Sequence, residues 1–121
     1  MKYLIGLVIV TFFFINCDKQ QEVKSISTIE LKALLEKENI QLLDVRTENE
    51  VKEGFIKTAI FADFYDDNFY TKSTKQLEKK KPVYIYCRSG NRSGKALKIL
   101  QKKGYDAYNV LGGYSKWKTE N

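Results

Sequence analysis

The run Cys87-Arg88-Ser89-Gly90-Asn91-Arg92-Ser93, directly after the apolar Val83-Tyr84-Ile85-Tyr86, is where this 121-residue chain could do chemistry. A thiol at the end of an apolar strand leads into a loop with Gly90 at its centre and then into helix-forming residues. That order suits a cradle of backbone N–H groups at a helix N-terminus, which stabilises anions. Fixed partial positive charges favour the ionised form of a cysteine held there, so Cys87 is expected to be a thiolate near neutral pH. Arg88 and Arg92 add positive charge. The chain has no histidine, so no Cys–His pair activates the thiol.

The second cysteine, Cys17, follows an apolar N-terminal run. Met1-Lys2 leads into Leu4 to Ile15, which carries no charge, and the chain turns polar at Asp18-Lys19-Gln20-Gln21-Glu22. The run falls short of the roughly 20 residues of a comfortable membrane span but suits a signal-peptide core behind a basic start. It lacks an Ala-x-Ala-like cleavage site and stops at Phe14-Ile15-Asn16-Cys17. This resembles a bacterial lipoprotein signal, in which the cysteine becomes the lipidated first residue. Phe14 and Asn16 depart from the usual Leu and small residue at those positions. The expected organisation is a signal over residues 1–16, a tether over 17–22 and one domain over 23–121. The protein would sit in the cell envelope, held to the membrane through Cys17 and facing the periplasm, or be otherwise exported. An uncleaved anchor is the alternative, and a buried helix of the fold a third reading.

With Cys17 lipidated, Cys87 is the one free thiol, which excludes an internal disulfide. Without histidine or a second free cysteine no zinc site is expected, and no cofactor is implied. The formal charge of +6 is concentrated in Lys79-Lys80-Lys81 and Lys102-Lys103. These read as solvated helix ends. No nucleic-acid recognition motif or interleaved aromatics accompany them, so no nucleic-acid partner is expected.

The rest of the chain must position the loop. Val23 to Ile26 alternates as an edge strand. Ser27-Thr28-Ile29-Glu30 is a capping box opening a helix with Leu31, Leu34 and Leu35 on one face, ending near Asn39. Gln41 to Arg46 reads as a central strand, and Thr47-Glu48-Asn49-Glu50 as a second capping box whose helical turn Gly54 closes. Ile60-Phe61-Ala62 is a short strand. Phe64, Tyr65, Phe69 and Tyr70 are expected to be partly buried, with a helix over Ser73 to Lys80 stopped by Pro82. A helix over Ser93 to Lys103, a strand over Asp106 to Val110 and a last helix carrying Trp117 complete the pattern. Strands separated by helical stretches predict an α/β fold, a parallel five-stranded sheet with helices on both faces. In such sheets the site lies at the carboxyl ends of the strands, where Cys87 falls.

Three motifs in order resemble a known family, the single-domain rhodaneses, which are sulfurtransferases. Asp44-Val45-Arg46 followed by Glu50, Gly54 and Ile56 is similar to that family's first motif. Cys87 to Ser93 is close to its active loop, and Leu111-Gly112-Gly113-Tyr114 with Trp117 to its ending. Phe55 stands where the family usually has a histidine treated as structural, which bears on local packing more than on sulfur chemistry. The resemblance covers about Val23 to Trp117 and implies a persulfide carried on Cys87. The sulfur would come from thiosulfate or a polysulfide and go to cyanide or a thiol, including a protein thiol. Arg92, at the loop–helix junction with a fork suited to oxyanions, is the first choice for contact with the donor anion, and Arg88 the second. Ser89 and Ser93 can bond the sulfur or cap the helix, Gly90 allows the turn, and Asn91 completes the cradle. Asp44 and Arg46 read as a supporting pair, Tyr114 and Trp117 as packing, and Glu50 as a helix-start residue. A monomer is expected.

Two other readings use the same residues. Phosphatases and arsenate reductases related to rhodaneses also combine a loop cysteine, an N–H cradle and an arginine. Their loops hold one more residue than the four (Arg88 to Asn91) between Cys87 and Arg92 here, and the smaller loop favours a single sulfur atom over a phosphoryl group. A non-catalytic binding module with the same fold is the other alternative, against which the intact loop argues.

Overall fold

The computed structural model describes residues 22–121. The expected signal (residues 1–16), Cys17 and the tether up to residue 21 lie outside the described residues. In chain order the elements are β1 (Lys24–Ile26), α1 (Thr28–Lys37), β2 (Gln41–Asp44), α2 (Glu48–Lys52), β3 (Ile60–Phe61), α3 (Phe69–Thr74), β4 (Val83–Tyr86), α4 (Asn91–Lys102), β5 (Ala107–Val110) and α5 (Gly113–Glu120). All five strands are parallel, in the order β1-β5-β4-β2-β3.

Strand alternation divides the interior into two cores. Val83, Ile85 and Cys87 point to one face, where Ala96, Leu97 and Leu100 of α4 and Phe69 of α3 cover them. Tyr86 points to the other face, toward Leu31 of α1, Ile56 and Val110, with Tyr84, Tyr114 and Trp117 packed around them. The central position of β4 puts Cys87 at the carboxyl edge of the sheet, under the start of α4. Both capping boxes form: Ser27 and Glu30 exchange bonds with each other's backbone N–H, as do Thr47 and Glu50.

Two expectations are corrected between β3 and β4. The helix runs over Phe69–Thr74 and not Ser73–Lys80. The side chain of Gln41 takes over the backbone further on. Its Oε1 accepts from the Glu78 N–H (2.6 Å), and its Nε2 donates to the carbonyls of Glu78, Lys81 and Pro82 (3.0, 3.1 and 3.2 Å). The Glu78 N–H is thus taken by Gln41 and is not available to the Thr74 carbonyl, the bond that a helix continuing past Thr74 would need. Tyr65, expected to be partly buried, is 67% exposed, its ring 5.4 Å from the Arg92 guanidinium.

The third motif has a direct structural role. Gly112 and Gly113 both have positive φ, +83° and +56°. A Cβ on Gly113 would sit 2.6 Å from the carbonyl oxygens of Cys87 and Arg88. That close approach lets the first turn of α5 dock on the Cys87 loop. Gly113→Ala is therefore expected to lower the unfolding free energy by more than about 2 kcal/mol. In Gly94→Ala the new Cβ meets only Asn109 Nδ2, at an ordinary 3.5 Å, within helix α4. Urea unfolding of that variant should show a change between zero and a gain of about 1 kcal/mol.

Candidate active site

Cys87 is 1% exposed, and its Sγ is ringed by donors. The Gly90 N–H lies 3.1 Å away and the Ser93 N–H 3.4 Å. Ser93 Oγ is also at 3.4 Å. Burial pushes the thiol up, but the Ser93 hydroxyl and the N–H groups of Ser93, Gly90 and Ser89 outweigh it and bring it below the ordinary thiol value. Gly90 is the N-cap of α4 at φ +118°, a backbone state that L side chains rarely adopt. Neither Ser89 nor Ser93 caps that helix. Among the expected cradle residues, Arg88, Asn91 and Arg92 make no hydrogen bond to the sulfur.

Loop carbonyls are held from the opposite side. Cys87 C=O accepts from the Tyr114 N–H at 2.8 Å, and Arg88 C=O from the Ser115 N–H at 3.0 Å. These bonds satisfy N–H groups of the first turn of α5 that have no partner within their own helix. In a trans peptide the C=O and the next N–H point in opposite directions. Fixing the Arg88 carbonyl toward α5 therefore turns the Ser89 N–H toward the thiol.

Asn109 of β5 is a site residue that no sequence motif marks. Its Oδ1 accepts from the Ser93 hydroxyl at 2.6 Å, and its Nδ2 donates to the Gly90 carbonyl at 3.2 Å. Ser93 has a single hydroxyl proton. While Asn109 holds it, Ser93 Oγ can only accept from the thiol; once the thiol ionises, the proton can turn to the sulfur. The signal in the sequence was a lone polar residue in the apolar run Ala107 to Val110, buried in the structure.

Arg92 is placed differently from expectation. Its guanidinium fork is taken by Glu50, Nη1 to Oε1 at 2.8 Å and Nη2 to Oε2 at 2.9 Å, so it does not face solvent as a free anion contact. Glu50, read as a helix-start residue, joins α2 to the loop. The Arg92 fork, opposed by partial burial and helped by the Thr47 N–H, lowers its carboxyl to about 2. Arg88 is the exposed arginine. It lines a cavity of about 190 Å³ with Arg46, Glu53, Tyr114, Ser115 and Lys118.

Asp44 and Arg46 form a buried pair. Arg46 Nη2 donates to Asp44 Oδ2 at 2.8 Å and Nε to Oδ1 at 3.0 Å. Arg46 also donates to the Gly54 carbonyl at 2.8 Å, and its guanidinium lies 4.3 Å from the Tyr114 ring. The pair thus ties the β2 end, the α2–β3 loop and α5 together behind the cradle. Phe55, where a histidine would be usual, is half exposed and meets Phe61 edge-to-face at 5.2 Å.

Two measurements check these assignments. The thiolate absorbance of the wild type minus that of Cys87→Ser should titrate below the ordinary thiol value. Ser93→Ala should raise the midpoint by removing a donor, and Asn109→Ala should lower it by freeing the hydroxyl for the sulfur. Shifts in the same direction would refute the shared proton. Glu50 titrates near 4.5 when unpaired and about 2 in the fold. Its stabilisation is therefore complete above pH 4.5 and is lost as pH falls toward 2. Glu50→Gln should remove on the order of 2–3 kcal/mol at pH 6 and flatten the acid limb of the stability profile.

Similarity to known proteins agrees with this geometry. Residues 27–120 match the family described as Rhodanese-like domain. YtwF of Bacillus subtilis (strain 168) is 38% identical over 100 residues, covering 82% of this chain and 94% of that protein. The thiosulfate sulfurtransferase GlpE of Coxiella burnetii is 29% identical over 99 residues, 81% of this chain and 90% of the relative. The crystal structure of a rhodanese-like domain protein from Staphylococcus aureus superposes with a TM-score of 0.71 at 38% identity, over 78% of this chain and 91% of that one. With the parallel five-stranded sheet, the cysteine loop at its carboxyl edge and a match over nearly all described residues, this chain belongs to the rhodanese-like domain family.

Proposed function

We propose that the protein is a sulfurtransferase that carries a sulfane sulfur as a persulfide on Cys87. The observation that carries the reading is the buried sulfur of Cys87, bonded by the Gly90 and Ser93 N–H groups and lowered below the ordinary thiol value. With thiosulfate as donor, the Cys87 thiolate attacks the outer sulfur. A new S–S bond forms, the donor's S–S bond breaks, and its electron pair leaves with sulfite. An acceptor thiolate, small or on a protein, then attacks the outer sulfur of the enzyme persulfide and Cys87 returns as thiolate; cyanide takes the same sulfur as thiocyanate. Neither step removes a proton from carbon or oxygen, so a chain without histidine can perform both. The anion is stabilised throughout by donors already in place, which is how a preorganised site lowers a barrier.

Arg88, exposed beside Lys118 and Ser115, meets the sulfonate end of a donor, while Arg92 acts from its pairing with Glu50 as a fixed positive charge at the loop. That pairing also argues against the phosphatase alternative, in which the loop arginine would have to turn its fork to phosphoryl oxygens. At the N-terminus, lipidation of Cys17 holds the protein to a membrane in the cell envelope.

Intact-mass measurement tests the reaction. Thiosulfate should add one sulfur atom to the wild type, cyanide should remove it, and Cys87→Ser should gain none. A wild-type protein that gains no sulfur from thiosulfate or polysulfide would overturn the reading.

A further inference from the structure

Five lysines that the site does not use gather at the opposite end of the sheet. Lys79, Lys80 and Lys81 immediately precede β4, and Lys102 and Lys103 end α4 where the chain turns back to β5. The strands are parallel, so both groups lie at the amino edge. Contacts draw them together: Lys79 Nζ lies 5.1 Å from the Tyr105 ring, beside Gly104, and Lys103 Nζ 5.7 Å from the Tyr70 ring. In Lys79 and Lys103 the ammonium group itself lies over a tyrosine ring, and all five lysines are exposed.

Of the carboxylates at this end, Glu22 lines a groove with Gln101 and Gly104 and makes no ion pair with the five lysines among the described residues. Glu78 pairs with Lys81 at 3.6 Å, and Asp106 pairs with Lys24. Lys79, Lys80, Lys102 and Lys103 have no carboxylate within ion-pair distance among the described residues. Lys37 stands at the neighbouring α1–β2 corner with Glu36 and Glu38, so the excess charge lies on the β4–β5 side.

The N-terminal segment enters at the same place. Gln101 Nε2 donates to the Glu22 carbonyl at 2.7 Å, one residue before Lys102. Residues 17–22 span at most roughly 20 Å when fully extended. An anchor at Cys17 therefore holds this end of the domain close to whatever surface the anchor enters.

We infer that the face formed by Lys79, Lys80, Lys102 and Lys103 docks on anionic lipid headgroups, turning Cys87 away from the membrane. Charge complementarity and the entry point of the N-terminal segment commit the face to a lipid surface. The six residue steps from Lys81 to Cys87 set the thiol roughly 20 Å above it. The face rests on the anchor reading for its setting in the cell, but its affinity for lipid can be measured without the anchor.

Vesicle flotation of the full chain tests this, with the anchor broken by Leu7→Asp, Phe13→Asp and Cys17→Ser. That protein should partition at least about tenfold more onto vesicles containing phosphatidylglycerol than onto pure phosphatidylcholine, and lose the preference in high salt. Changing Lys79, Lys80, Lys102 and Lys103 to Gln should abolish the preference; changing Lys32, Lys52, Lys57 and Lys95 to Gln should leave most of it. No preference in the parent, or equal loss in both lysine sets, overturns the proposal. The unaltered chain produced in a bacterial host, floated on pure phosphatidylcholine, reports the anchor separately. Its failure to float there would remove the anchor while the lysine face still stood or fell on the phosphatidylglycerol preference.

Discussion

The site depends on two hydrogen bonds that never touch the sulfur, those from the first turn of α5 to the carbonyls of Cys87 and Arg88. They hold the carbonyl side of the loop away from the thiol, and planar peptides then bring N–H groups to the other side. Gly113 exists for these bonds, since any side chain there would strike the two accepting oxygens. A motif near the C-terminus thereby sets the electrostatics of a cysteine far away in sequence. The partnership is mutual: α5 gains acceptors for its otherwise unpaired donors, and the loop gains a fixed shape.

Two ion pairs reinforce that arrangement from below and from the side. Asp44–Arg46 is buried, where removing one partner leaves an uncompensated charge at a cost of about 3–5 kcal/mol. It is braced by the Gly54 carbonyl and by the Tyr114 ring, so β2, α2 and α5 keep a common position. Glu50–Arg92 joins α2 to α4 across the mouth of the loop and remains partly exposed. The first pair fixes the frame, and the second holds the Arg92 fork at the start of α4 against α2.

Much of this was legible in the sequence because it depends on local rules. The capping boxes at Ser27 and Thr47, the apolar strand Val83 to Tyr86, and the Cys87 run each carry their meaning within a few residues. What escaped was non-local. The Glu50–Arg92 pair joins residues 42 apart, and nothing near Glu50 distinguishes a helix-start carboxylate from an ion-pair partner. Asn109 is a single polar residue in a strand, meaningful only once β5 lies beside β4 and the start of α4. The misplaced helix has the same origin, since Gln41 is far in sequence from the backbone it captures at Glu78.

The depth of Cys87 has a bearing on selectivity. With the inner sulfur 1% exposed, a persulfide formed there would place its outer sulfur about 2 Å further toward the mouth of the loop. An incoming thiolate would then meet the outer atom and be shut out from the inner one. Attack on the outer atom hands over sulfur, whereas attack on the inner atom would release hydrosulfide and leave the protein capped as a mixed disulfide. Burial of Cys87 would thus act as a regiochemical filter, guarding the thiol against becoming trapped by an acceptor.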